Sequence, residues 1–257
     1  MREFAVLPDQ RREAILAALA RDGRVVAAAL AEQLGVSDDT VRRDLDELAA
    51  TGRVRRVRGG ALPAVSSTPP RVTDRQELHA EQKARIARRA AALLADEPVL
   101  VLAGGTTMLA LARELAADGR QRTVLTTSPD IAITLADAPG EVLLAGGRLD
   151  AASRTVVGSD ALDAVARVRG TVAVLGVCSL HAAIGLTTRG AAEAEILRAM
   201  AGGADRLVVA TEAAKLGSAA AHVVAPAERV AQLVTDDGAP AEELAALRGL
   251  GVEVLLA

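Results

Sequence analysis

Arginine dominates residues 42–58. Arg42, Arg43, Arg53, Arg55, Arg56 and Arg58 stand there against Asp44, Asp46 and Glu47, a local net charge of +3 in a chain whose overall charge is −3. A guanidinium presents five donors in a planar fork, which suits phosphate oxygens and the major-groove edge of guanine. A second group, Gly104-Gly105-Thr106-Thr107, offers a different chemistry. Glycines let a backbone approach a ligand, a helix N-terminus supplies unpaired N–H groups, and threonine hydroxyls add hydrogen bonds, all suited to an anion. No Gly-Lys-Ser/Thr follows, so this is not a P-loop. A tight turn between strand and helix would use the same glycines.

Other residues fall at comparable places. Gly146 and Gly147 end an apolar run and precede Arg148, while Thr126, Ser128 and Asp130 end another. Lys215 follows the run RLVVAT, and Glu193 and Glu195 open a helical stretch. A lysine beyond a strand end can meet an anionic ligand or simply face solvent. Acidic residues in a first helical turn are also what the helix dipole favours by itself. His79, His181 and His222 have no metal-ligand spacing, and no metal is expected. Cys178, the single cysteine, has no indicated His or Asn partner and reads as a structural thiol.

The arginines need elements to position them. Residues 10–21 are helical by pattern, with Ile15, Leu16 and Leu19 on one face, and Asp22-Gly23 breaks the helix. Residues 27–34 form a second helix. Ser37 follows a Gly-Val turn and caps a third, in which Val41, Leu45 and Leu48 form a buried stripe. At about 100° per residue, Arg43 points away from that stripe and Thr40 and Arg42 flank it. Thr51-Gly52 ends the helix, and a short basic hairpin follows. Helix, helix, turn, helix, hairpin is a winged helix-turn-helix, whose last helix enters a major groove. Arg43, with Thr40 and Arg42, is thus the expected base reader, and Ser37 is expected among the DNA-binding residues. Arg53, Arg55, Arg56 and Arg58 are the expected phosphate contacts.

Residues 63–74 are rich in Pro, Ser and Thr and read as a linker between a DNA-binding domain at 8–62 and a domain at 75–257. One long helix is expected over 75–95. Beyond Pro98, short apolar strands alternate with amphipathic helices, which predicts an α/β domain with a mainly parallel sheet covered on both faces. Ligands of such sheets sit at the carboxyl ends of the strands, where Gly104, Gly105, Thr106, Thr107, Thr126, Ser128, Gly146, Gly147, Glu193 and Lys215 are all expected.

Composition narrows the function further. With one Phe and no Tyr or Trp, base stacking on aromatic platforms is excluded, which argues against single-stranded nucleic acid as the partner. Double-stranded DNA is the expected partner. One cysteine suggests a reducing compartment, no apolar run approaches ~20 residues, and the first residues lack a signal-peptide core, so a cytoplasmic protein is expected. A single winged helix reads a short site, so a homo-oligomer on repeated half-sites is expected.

The sequence resembles the DeoR family of bacterial transcriptional regulators. The resemblance runs through Arg42-Arg43-Asp44-Leu45, Gly52, Arg55 and Arg58-Gly59-Gly60-Ala61 in the first domain. In the second it runs through EQKARIARRAA, GTT at 105–107, LAGG at 144–147, GLTT at 185–188, EAEILRAM at 193–200 and Lys215-Leu216-Gly217. It implies a sensor domain similar in fold to ribose-phosphate isomerases and CoA transferases. It further implies a repressor of a carbohydrate or related operon, released by a small anionic effector such as a phosphorylated sugar. Four positions depart from the family pattern. Ala103 and Gly190 stand where it has Asp, Thr127 where it has Asn, and Glu212 where it has Asp. The alternative is an isomerase- or transferase-like enzyme with a DNA-binding appendage, using Glu193, Glu212 and Lys215. The missing carboxylates at 103 and 190 count against it. No catalysis and no cofactor are expected.

Overall fold

The computed structural model describes residues 8–22, 25–51, 53–57, 59–63 and 72–257. The chain divides into two compact units, Met1–Pro70 and Arg71–Ala257.

The first unit runs α1 (Pro8–Asp22), β1 (Val25–Val26), α2 (Ala27–Leu34), α3 (Asp38–Ala50), β2 (Val54–Val57) and β3 (Gly60–Pro63). α2 stops because Gly35 turns left-handed at φ 63°. The Gly35 N–H then reaches the Glu32 carbonyl and the Val36 N–H reaches that of Ala31, a pair of bonds that closes a helix end. Two residues later the Ser37 hydroxyl accepts from the Thr40 N–H at 3.2 Å and starts α3. Ile15, Leu19, Leu30, Val41, Leu45, Leu48 and Val54 form one buried cluster. β3 pairs antiparallel with both β1 and β2. Gly60 lets β1 and β3 close, since a Cβ there would lie 1.8 Å from the Val25 carbonyl oxygen. This is the expected winged helix-turn-helix.

The second unit begins with α4 (Val72–Glu77) and α5 (Ala80–Leu93). The single long helix expected over 75–95 is therefore two helices. The break is at His79, whose backbone is left-handed at φ 55° and cannot continue a right-handed helix. α4 also starts at Val72, within the stretch expected to be linker, of which 64–71 lie outside the described residues. Then follow β4 (Val99–Leu102), α6 (Thr106–Ala117), β5 (Arg122–Thr126), α7 (Pro129–Leu135), β6 (Gly140–Leu144), β7 (Arg148–Asp150), β8 (Thr155–Val157) and α8 (Ser159–Ala166). β9 (Gly170–Leu175), β10 (Ser179–His181), β11 (Gly185–Thr188), α9 (Ala191–Gly202), β12 (Ala204–Ala210), β13 (His222–Ala225), β14 (Gln232–Thr235), α10 (Ala241–Gly249) and β15 (Glu253–Leu256) complete it.

Seven strands form one sheet in the order β15-β14-β12-β9-β4-β5-β6, and every adjacent pair is parallel. Alternation along the strands splits the core in two. Leu100, Leu102, Val172, Val174 and Val208 face a cluster with Ile86, Met108 and Leu111, on the side of α5 and α6. Val101, Ala103, Ala173, Leu175 and Val209 face the other, with Ala194, Leu197 and Leu247 of α9 and α10. Chain order reverses between β4 and β9: β5 and β6 lie to one side, β12, β14 and β15 to the other. A crevice at the carboxyl ends of the strands belongs at that reversal. β10, β11 and β13 make a small antiparallel sheet, and β7 and β8 a hairpin.

Candidate functional site

On α3, Arg43 is exposed and has no ion pair or hydrogen bond among the described residues. Arg42 is also exposed but returns to Asp38 at 2.7 Å, one turn back. The Thr40 hydroxyl lies 2.8 Å from that of Ser37, so both sit together at the helix start. Arg53 is exposed after α3. Arg56 is committed within the unit: its Nε meets Asp46 at 2.6 Å and its Nη1 donates to the Gly60 carbonyl at 2.8 Å. The Arg55 backbone lies in β2; its side chain and all of Arg58 lie outside the described residues.

The carboxylates of α3 have an arrangement that the sequence reading missed. Asp44 is buried and takes two bonds from Arg11 of α1, at 2.6 and 3.1 Å. That hydrogen bond holds the Arg11 guanidinium above its usual range. Arg12 meets Glu47. Asp46 goes to Arg56 and Asp38 to Arg42, so only Asp39 among these acids shows no cation among the described residues. Thus α3 is acidic in sequence, yet Asp44 and Glu47 are answered from α1, Asp46 from the hairpin and Asp38 from Arg42 of α3 itself, and Arg43 keeps an open face.

The second region lies at the chain reversal of the large sheet. Gly104 follows β4 and Gly176 follows β9, and a Cβ on Gly176 would lie 3.4 Å from the Gly104 carbonyl oxygen. A shallow cleft opens there, lined by Gly104, Gly176, Thr127, Thr155 and Glu193 with apolar Ile196 and Leu197. Gly105 precedes α6 at φ 118°, a conformation that favours glycine. Thr106 and Thr107 then begin the helix, and the buried Thr107 hydroxyl has no hydrogen-bond partner among the described residues. Glu193, in the first turn of α9, accepts from the Thr188 hydroxyl.

Other expected residues serve differently. The buried Thr126 hydroxyl accepts from the Ser128 N–H at 3.1 Å, so it shapes the turn after β5. Ser128 begins α7 and its Cβ lies close to Gly104. Gly146 and Gly147 are exposed between β6 and β7 and do not line the cleft; Gly147 passes close to Val156 of β8. Lys215 sits in the short helical turn after β12, where its Nζ lies 3.3 Å from Glu212. Ala103 is buried in the sheet core, a position without a carboxylate.

Glu212, which the sequence already set beside Lys215, gains His79 and Lys83 from the fold, two partners for which the sequence carried no signal. Its Oε1 lies 2.9 Å from His79 Nδ1 and 4.0 Å from Lys83 Nζ, and its Oε2 faces Lys215. Lys83, almost fully buried, donates to the carbonyls of Arg75 and Leu78. Burial pushes the Glu212 carboxyl up, but Lys215, Lys83 and the His79 bond outweigh it, and it titrates below the usual glutamate range. Lys83 goes the other way: burial lowers it more than Glu212 supports it. Thr155 and Gly176 were also missed. Gly176 had a signal, a glycine after an apolar strand, as Gly104 has. Thr155 had none, because the β7–β8 strands are only three residues each.

The chain matches the family models of the DeoR-like helix-turn-helix domain over residues 11–66 and of the DeoR C-terminal sensor domain over residues 78–237. It is 33% identical over 254 residues to the HTH-type transcriptional regulator GlpR of Haloferax volcanii, spanning 97% of this chain and 98% of that one. It is 31% identical to the HTH-type transcriptional repressor GlcR of Bacillus subtilis over 89% of this chain and 88% of that one. Among solved structures, ribose 5-phosphate isomerase A of Methanocaldococcus jannaschii overlaps 53% of this chain and 54% of its own, at 18% identity and a TM-score of 0.39. That distant likeness assigns no activity, and the enzyme alternative falls with the regulatory family that both domains match. No described helix is long and apolar enough to cross a membrane. An arginine face on a winged helix followed by a parallel-sheet unit with a strand-end cleft belongs to a DNA-binding regulator, and the chain is a member of the DeoR family of transcriptional regulators.

Proposed function

We propose that this regulator is a cytoplasmic repressor that holds its operator as a homo-oligomer and releases it when a small anion, a phosphorylated sugar by class, enters the strand-end cleft. The observation that carries the reading is the meeting of Gly104 and Gly176 at the chain reversal, just before the start of α6, in a cleft lined also by Thr127, Thr155 and Glu193. Bare backbone, helix N–H groups and threonine hydroxyls suit phosphate oxygens. Glu193 and Thr155 supply polar groups for sugar hydroxyls, and Lys215 a cation nearby along the same sheet edge. The name of the Bacillus subtilis relative, a transcriptional repressor, supports the sign of regulation.

On DNA, Arg43 with Thr40, Arg42 and Ser37 reads base edges, and Arg53, Arg55 and Arg58 hold phosphates. Arg56, tied to Asp46, sets the hairpin against α3 and adds charge beside the backbone. The test is binding of the full chain to DNA from upstream of its own gene, followed by fluorescence anisotropy, with a panel of sugar phosphates added in turn. Release by one or more members supports the reading. Undiminished binding with every member removes the phosphosugar as effector.

A further inference from the structure

His79 and Lys215 are far apart in sequence, yet both hold the same buried carboxylate. His79 sits in the turn between α4 and α5, with a left-handed backbone that side chains other than glycine avoid. Lys83, one turn into α5, is the other tie: its Nζ holds the Arg75 and Leu78 carbonyls at the end of α4 while lying 4.0 Å from Glu212. α4 in turn begins at Val72, two residues past the end of the DNA-binding unit at Pro70. Among the described residues, the charged and titratable groups facing Glu212 are therefore His79, Lys83 and Lys215, with Arg75 acting on Lys83 from α4.

The geometry points to Glu212 as a positioning residue that links the state of Lys215 to the α4–α5 turn, and so to the segment leading to the DNA-binding unit. The inference rests on the proposed reading of Lys215 as a residue that meets an anion. An anion that draws the Lys215 ammonium away leaves Oε2 of Glu212 without its cation. The buried carboxylate then leans on His79 and Lys83, the two groups that hold the turn. Lys83 is shared between Glu212 and the α4 carbonyls, so a stronger claim by one loosens the other. Occupancy is thereby read at α4 with no movement of the large sheet. By linkage, DNA binding must act back on the anion to the same degree.

The test uses the full chain. In Lys215→Met, the imidazole nitrogen and Cε1 signals of His79 move while those of His181 and His222 stay; Lys215→Gln gives the same result should the first variant fold poorly. Unmoved His79 signals overturn the inference whatever any ligand does. Ribose 5-phosphate, with inorganic phosphate as the second probe, is then titrated. His79→Gly removes the hydrogen bond and suits the left-handed backbone, and His79→Asn serves as its check. Either keeps probe affinity near wild type, while the probe concentration that frees upstream DNA rises about tenfold. Equal loss of probe affinity and DNA release in both variants overturns the inference, because His79 would then only build the pocket. A wild-type chain that binds neither probe, with His79 signals that still answer Lys215→Met, supports the link and refutes these probes' fit to the cleft.

Discussion

The Thr155 methyl lies 2.1 Å from where a Cβ on Gly104 would stand. The glycine that the sequence offers as an anion cradle is thus also required by packing: the β7–β8 hairpin folds over the end of β4 and leaves no room for a side chain. Gly104→Ala forces the hairpin outward and is expected to cost about 1–3 kcal/mol, as overpacking does. Thr155→Ser removes that methyl and keeps the hydroxyl beside Ser153, which lies 2.7 Å away. The double variant is therefore expected to recover most of the loss. Urea unfolding of the four proteins in the cycle checks this, and additive losses would show that the contact is not the cause.

The arginines separate into three kinds of effect. Arg43→Ala is expected to relax sequence preference at one base pair by about 1–3 kcal/mol. Arg53→Ala is expected to weaken binding to all sequences alike and to reduce the salt slope by about 0.9. Arg56→Ala should do something else, because Arg56 holds Asp46 and the Gly60 carbonyl. It is expected to lower the melting temperature of the winged unit before any DNA is added. Anisotropy at several salt concentrations, beside thermal unfolding without DNA, distinguishes the three. Equal, sequence-independent losses would remove base reading from Arg43.

Much of the winged unit was legible because its determinants are local. The left-handed Gly35, the Ser37 cap and the Val41, Leu45 and Leu48 stripe each act within a few residues. The parallel sheet was legible because its strands are apolar on both faces. The cleft was legible only at its glycines. Periodicity within an element does not say which elements meet. Arg11 reaching Asp44, His79 reaching Glu212 and Thr155 over Gly104 are all partners from separate elements. The break at His79 was hidden for the same reason, since the helical pattern of 75–95 continues across it.

Acid should weaken the second unit in a defined window. Hydrogen bonding from Ser153 lowers the Asp150 carboxyl below its ordinary value of 3.8. Glu212, raised by burial but lowered further by Lys215, Lys83 and His79, titrates below its ordinary 4.5. Both folded values are depressed, so the unfolded chain binds more protons as pH falls. Their contribution is complete above about pH 4.5, the unfolded Glu value, and is lost as pH drops through the folded values. Stability from urea unfolding is expected to be flat with respect to these groups from pH 7 to about 5 and to fall below. Glu212→Gln leaves Lys83 buried without its carboxylate, so it is expected to lower the plateau by about 3–5 kcal/mol and make the acid decline shallower. A decline as steep as wild type would take Glu212 out of the account.

Gly190 is one of the positions where the family pattern has Asp, and here the structure leaves room for it. The residue precedes α9 with ordinary φ of −97° and ψ of 131°, and the nearest atom to an added Cβ is the Cβ of Glu193, at 3.7 Å. No steric demand keeps glycine there, in contrast to Gly104. An aspartate at this place can accept from the free N–H groups of the first turn of α9, where glycine has no side chain to do so. Gly is already a fair residue before a helix, so Gly190→Asp is expected to add only a few tenths of a kcal/mol. The new carboxylate would stand near Glu193, which offsets part of even that gain, and it would add an acceptor beside the cleft. If the effector is a polyol phosphate, the variant should bind it more tightly through a hydroxyl, with little change in melting temperature. If the effector is a bare anion, a second negative charge beside Glu193 should weaken binding instead. Calorimetry with ribose 5-phosphate and inorganic phosphate on the two proteins decides between them: opposite responses to the probes assign the site to a sugar phosphate, and weakening of both assigns it to an anion without hydroxyls.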